Sequence, residues 1–160
     1  LTMAAGRRIT NRDCRFMVTR SEMKGLQGWF LNRLGCFPID QGRPSLTALR
    51  YAVDLLISRQ QLVVFPEGKI NRFSETVKLK KGLIRLAQLA SNKGLEIKIV
   101  PVGLAYSEII PEFYGSASIC FSKPITISKD FKESINDFNI ELYESMRSAE
   151  HSALLAIGRR

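Results

Sequence analysis

The sequence predicts an α/β fold: one domain with a mostly parallel central sheet flanked by helices. Three observations carry that expectation. Short apolar, β-branched or aromatic runs recur along the chain, such as Leu62-Val-Val-Phe65 and Ile97-Lys-Ile-Val-Pro-Val-Gly103. Stretches with apolar residues at helical spacing lie between them, the clearest from Leu46 to Ile57. With 160 residues, 45% of them hydrophobic, the chain can bury one core and is short for two domains.

The elements follow in order. Cys14-Arg-Phe-Met-Val-Thr19 reads as a strand. Ser21 can cap a helix from about 22 to 34, with Leu26, Trp29, Phe30 and Leu34 as its apolar stripe and Gly35 as its stop. Cys36-Phe-Pro-Ile-Asp40 is extended, and Gln41-Gly-Arg-Pro44 is a loop. Pro44-Ser45 opens a helix carrying Leu46, Leu49, Val53, Leu56 and Ile57. A strand at 62–65 and a loop to about 77 precede a helix near 79–92, ended by Asn92-Lys-Gly94. Ile97 to Gly103 reads as one further buried strand. Ser118–Phe121 and Ile125–Ile127 flank the Lys123-Pro124 turn, and an amphipathic helix runs from roughly 133 to 157.

Composition narrows the partners. The net charge is +9, concentrated in residues 1–106, whereas 107–160 is slightly acidic. An anionic partner is implied: a phosphorylated substrate, an anionic membrane surface or nucleic acid. No helix-turn-helix or RNA-binding signature is present, and the aromatics do not interleave with the cations, so no nucleic acid is expected. The 3 cysteines, Cys14, Cys36 and Cys120, are widely spaced and form no metal-ligand pattern, so no metal is expected. No apolar run approaches the roughly 20 residues that span a bilayer, and none reads as a signal peptide. Leu1-Thr-Met-Ala-Ala5 resembles the tail of a helix, which suggests a chain truncated at its amino end.

In parallel sheets ligands bind beyond the carboxyl ends of the strands. Pro66-Glu67-Gly68 falls at such an end, directly after the strand at 62–65. Glu67 there either binds a hydroxyl or cation or is a solvated residue of a simple turn. Gly68 permits positive φ or a close backbone approach. Lys69, Arg72 and Arg43 can form an anion pocket, Arg by paired hydrogen bonds and Lys as a point charge, or can be solvated loop charges. Asp40, at a second strand end, can cap the next helix or orient Arg43. Lys78, Lys80, Lys81 and Arg85 crowd a helix start, against its dipole. His151, the only histidine, has no acid–nucleophile pattern around it. No GxSxG, Walker or GxGxxG motif occurs.

Several of these segments together resemble the glycerolipid acyltransferases of the 1-acylglycerol-3-phosphate acyltransferase type. Val64-Phe-Pro-Glu-Gly68 is similar to the family's FPEG block. Leu34-Gly-Cys-Phe-Pro-Ile-Asp40 is similar to its apolar run ending in Asp-Arg, and Ile99-Val-Pro-Val-Gly103 to its Val-Pro-Val block. Phe16 to Met23 resembles the segment usually reading Val-Ala-Lys-x-Glu-Leu, and Leu79 to Ala87 the Lys-x-Gly helix after FPEG. The blocks keep family order over residues 16 to about 104.

The resemblance implies a glycerol-3-phosphate acyltransferase-like sheet. It implies acyl transfer from acyl-ACP or acyl-CoA to a lysophosphatidate-like acceptor in phospholipid biosynthesis, with no metal or tightly bound cofactor. It implies a site at the cytoplasmic face of a membrane, peripheral or anchored through further amino-terminal segments. Glu67 and Gly68 are then catalytic-site residues. Arg20, Asp40, Arg43, Lys69 and Arg72 bind substrate, and Phe65, Pro66, Val100, Pro101 and Val102 line the acyl pocket or serve structure.

Two departures stand out. The family's NHxxxxD, whose His is the general base, is absent from the chain. It is expected just upstream of Leu1, and the chain alone is expected to be inactive. Asp40-Gln41 replaces the usual Asp-Arg, and Gly68-Lys69-Ile70-Asn71 the usual Gly-Thr-Arg-Ser. Arg43 and Arg72, each two residues past the usual place, are expected to take over the phosphate contacts. The alternative is a non-catalytic domain that binds anionic lipid or nucleic acid by charge.

Overall fold

A computed structural model describes residues 11–40, 45–68, 78–108, 110, 114–129, 131 and 134–159. Strand β1 (Cys14–Thr19) leads through a short 3-10 turn (Arg20–Glu22) to helix α1 (Gly25–Arg33). Next come β2 (Cys36–Ile39), α2 (Leu46–Ile57), β3 (Gln61–Val63) and α3 (Gly82–Asn92). β4 (Ile97–Ile99), β5 (Val102–Tyr106), β6 (Ala117–Phe121), β7 (Ile125–Ile127) and α4 (Ile135–Ala156) complete the described elements.

The parallel expectation holds for the first three strands. They form a parallel sheet in the order β2-β1-β3, with Phe16 opposite Cys36 and Cys14 opposite Gln61. The remaining strands pair antiparallel, β4 with β7 and β5 with β6. The segment read as one strand, Ile97 to Gly103, is split at Val100-Pro101. Pro101 has no N–H to donate to a ladder, so pairing stops there and the chain changes partner. Its carbonyl still accepts a hydrogen bond from Ser122 N–H at 3.0 Å.

Two apolar clusters fill the molecule. Met17, Phe37 and Ile39 from the sheet meet Leu49, Ala52, Val53 and Leu55 of α2, with Leu86 of α3. Ile84 and Ala87 of α3 meet Ile127, Phe138 and Leu142 in the second cluster. α3 therefore serves both clusters from adjacent positions. Ser91, buried near its end, donates to the Lys129 carbonyl at 2.8 Å and accepts from Phe131 N–H at 3.2 Å. β5 lies hard against α4: a Cβ on Gly103 would overlap the backbone of Ala149 and Glu150.

Side-chain caps start two of the four described α-helices. Ser45 accepts from Ala48 N–H at 3.2 Å and starts α2, and Ser134 accepts from Asn136 N–H at 3.3 Å and starts α4. The first helix departs from expectation. Ser21 does not cap it; Ser21 lies in the 3-10 turn, and α1 begins only at Gly25, whose φ of 56° interrupts the helical path. Its stripe also points the wrong way for a core. Leu26, Trp29 and Phe30 are 87%, 59% and 57% exposed. Gly28 faces inward instead, because a Cβ there would overlap the Met23 carbonyl.

Cys14 and Cys36 are buried and Cys120 is half-buried, all as free thiols. Burial pushes the Cys14 thiol up, helped by the adjacent Asp13 carboxylate, and burial alone pushes Cys36 up. Among the described residues, no helix is long and apolar enough to cross a membrane.

Candidate functional site

Because β1, β2 and β3 run parallel, their carboxyl ends share one edge of the sheet. That edge presents Arg20 after β1, Asp40 after β2 and Val64 to Gly68 after β3. The last of these is a tight turn. Gly68 N–H donates to the Phe65 carbonyl at 3.1 Å, with Pro66 and Glu67 as the two central residues. Pro at the first central position has its φ preset for such a turn, and Gly68 takes a φ of 67° that costs a side-chain-bearing residue about 1 kcal/mol or more. Pro66 is buried, Glu67 and Gly68 are half-buried and Phe65 is 52% exposed.

A second bond fixes the turn from outside. Lys80 N–H donates to the Pro66 carbonyl at 2.7 Å. The chain leaves at Gly68 and returns within one hydrogen bond of the same turn. Lys69 and Arg72 fall between, outside the described residues, as does Arg43. The clasp also brings in a group that the sequence reading had kept apart from the site. Lys78, Lys80 and Lys81 are exposed at the start of α3, and Lys81 caps that helix without a side-chain bond. The Lys80–Pro66 bond joins the backbone of this segment to the turn that carries Glu67. The Lys-x-Gly block following FPEG in sequence was the signal for it.

Asp40 neither caps α2, which Ser45 does, nor can be placed against Arg43. It pairs with Arg20 at 3.5 Å, joining the ends of β1 and β2. Both side chains are more than half exposed, so the pair is weak and open to exchange for a ligand anion. Val100, Pro101 and Val102 lie at the β4–β5 junction, with Pro101 buried and Val100 44% exposed. Their visible work there is to break the strand. His151 is exposed on α4.

Beyond the edge strand β2, a cleft of ≈ 590 Å³ opens between α1 and α2. Arg15, Arg20, Asn32, Phe37 and Tyr51 line it, and the two rings meet edge to face at 5.1 Å. Arg15 is held there by Gln60, whose Oε1 accepts from Nε at 2.7 Å. The cleft meets the carboxyl edge at Arg20, on the side of the sheet away from β3.

A parallel sheet with a carboxylate turn and a basic helix start at its carboxyl edge defines an α/β protein whose charged groups gather on one rim. The comparisons make the class specific. The acyltransferase family model matches residues 1–105, and the chain belongs to that family. It is 31% identical over 130 residues to the 1-acyl-sn-glycerol-3-phosphate acyltransferase of Streptococcus pneumoniae (strain ATCC BAA-255 / R6). That match covers 79% of this chain and 45% of the relative, so the chain spans less than half the length of that protein. No solved structure matches.

Proposed function

We propose that the chain forms the acceptor-binding part of an enzyme that acylates a lysophospholipid such as 1-acylglycerol-3-phosphate. The acyl donor is the thioester of acyl carrier protein or coenzyme A. The acceptor hydroxyl oxygen bonds to the acyl carbonyl carbon, the carbon–sulfur bond breaks, and the hydroxyl proton ends on the released thiol. Such a two-substrate reaction gains most from fixing both partners in one geometry.

The observation that carries this reading is the Pro66–Gly68 turn at the end of β3, clasped to the start of α3 by Lys80 N–H. This clasp joins the turn carrying the half-buried Glu67 to a helix start carrying the exposed Lys78, Lys80 and Lys81. Glu67 accepts a hydrogen bond from a hydroxyl of the acceptor. Gly68 lets the glycerol backbone approach. Lys69, Arg72 and Arg43 contact the phosphate, and Arg20 gives up Asp40 to join them. Phe65 and Pro66 lie against the acyl chain. The family's general-base histidine is not among these residues, since the one histidine is His151 on α4. On this reading the isolated chain is expected to bind the acceptor without turning it over.

The test is equilibrium binding of a short-chain lysophosphatidate, kept below its micelle concentration. Glu67→Gln, Arg72→Ala and Arg43→Ala are each expected to weaken binding about tenfold or more, the loss typical of a hydrogen bond to a charged group. A phosphate-free monoacylglycerol should bind the parent chain no better than the arginine variants bind lysophosphatidate. Acyl transfer by the isolated chain, or unchanged affinity in all three variants, would overturn the reading.

A further inference from the structure

We propose that the outer face of α1 is an interfacial anchor that holds the carboxyl edge of the sheet against an anionic lipid bilayer. This rests on the lysophospholipid reading above for its biological sense, but not for its physics. At 3.6 residues per turn, Leu26, Trp29, Phe30, Arg33 and Leu34 form one continuous stripe. Gly28 and Leu31, the least exposed positions of the helix, lie diametrically opposite. The helix thus buries a glycine, close against the Met23 backbone of its own lead-in, and turns its largest apolar groups outward. Leu34, at the end of the stripe, is 37% exposed.

The chemistry of the stripe selects a membrane surface. Trp29 carries the Arg33 guanidinium 4.9 Å from its ring centroid, an apolar ring and a cation presented together. Lys24 stands exposed at the amino end of the helix. Glu22, which accepts from Gln27 Nε2 at 3.0 Å and keeps its charge, offsets Lys24, and Asp40 pairs with Arg20. The face is therefore an apolar stripe with an uncompensated cation, Arg33, stacked on its central ring. A second copy of the chain fits less well. The stripe offers on the order of 400 Å² of apolar surface, against roughly 800 Å² per partner in a standard stable interface.

Position adds a consequence. α1 starts just after β1 ends, so Leu26 lies near the edge carrying Asp40 and the Pro66–Gly68 turn. Seating Leu26 and Phe30 among acyl chains points that edge at the headgroups.

Trp29 is the only tryptophan, so its emission reports on this face alone. The chain is titrated with vesicles of phosphatidylcholine containing about one third phosphatidylglycerol, with no lysolipid and no acyl donor. A blue shift is expected, together with quenching by lipids brominated near the headgroup and much weaker partitioning at high salt or onto pure phosphatidylcholine. L26S/F30S, which keeps the reporter and alters only exposed side chains, should lower the partition coefficient about tenfold or more. K24E/R33E should abolish the preference for anionic vesicles. Far-UV circular dichroism checks that both variants fold.

Three results would overturn the proposal. One is an unshifted spectrum at saturating anionic lipid. Another is emission already blue without vesicles, at all dilutions if another segment of the chain covers the face or only at high concentration if a second copy does. The third is vesicle binding indifferent to both double variants. Lysophosphatidate binding that survives any of these leaves the acceptor site standing and removes only the anchor.

Discussion

The two halves of the molecule solve opposite problems with the same helix between them. In the first, three parallel strands end on one edge, and they are followed there by Arg20, Asp40 and a carboxylate turn. In the second, β4 to β7 pair antiparallel and a single helix of 22 residues, α4, lies across them. The first half leaves polar groups open at a rim. The second closes on itself through Phe138, Leu142, Ala149 and Ala153, all buried. Parallel pairing forces crossover connections and gathers loops at one end, whereas antiparallel pairing permits short returns. Open charged groups thus gather where the topology brings loops together, while each half buries an apolar cluster of its own.

Three measurements test this contrast. Gly103→Val should have the largest effect, because the new side chain meets the backbone of α4 and not a flexible side chain. A loss of about 3 kcal/mol or more in urea unfolding is expected. The transition should stay single, since α3 places Leu86 in one cluster and Ile84 in the other. A two-step melt, with the parallel half outlasting the other, would show that α3 does not couple them.

An intermediate effect is expected from pH, and it belongs to the parallel half. Burial raises the Cys14 and Cys36 thiols above the ordinary value of 9.0, so the folded chain favours their neutral forms. Their contribution is fully present below pH 9.0 and is lost as pH rises from there through the raised folded values. Urea midpoints across that window should fall in the parent chain and flatten in the C14A/C36A double variant, after allowing for its lower starting stability. An equal slope in both would assign the alkaline loss elsewhere.

The smallest effect concerns the Arg20–Asp40 pair. A double-mutant cycle to Ala should give a coupling of no more than about 0.5 kcal/mol, shrinking with salt, because both side chains are more than half exposed. A coupling several times larger would mean that the rim is rigid rather than exchangeable.

How far the sequence could be read differs between the halves for physical reasons. The elements of the parallel half were legible because each has its own punctuation: Ser45 before α2, Gly35 after α1, Pro66 after β3. The turn at Glu67 was legible for the same reason. The split of Ile97–Gly103 was not read, although Pro101 signalled it, because an apolar run looks the same whether it keeps one partner or changes. The partner of Asp40 was missed because Arg20 is twenty residues away and only parallel pairing brings the two ends together. The apolar stripe of α1 was legible but its exposure was not, because periodicity reports that a helix has two faces, not which one the protein covers. Gly28 decides that, through a contact visible only in three dimensions.

The bond from Lys80 N–H to the Pro66 carbonyl has a consequence for how such a protein can diversify. The connection from Gly68 to Lys80 begins and ends at one post, whose closing bond is made by backbone atoms on both sides. For a flexible connection between fixed ends, doubling the length costs only about 0.6 kcal/mol. A change in the number of residues between these two positions therefore need not disturb the strand and helix that carry them.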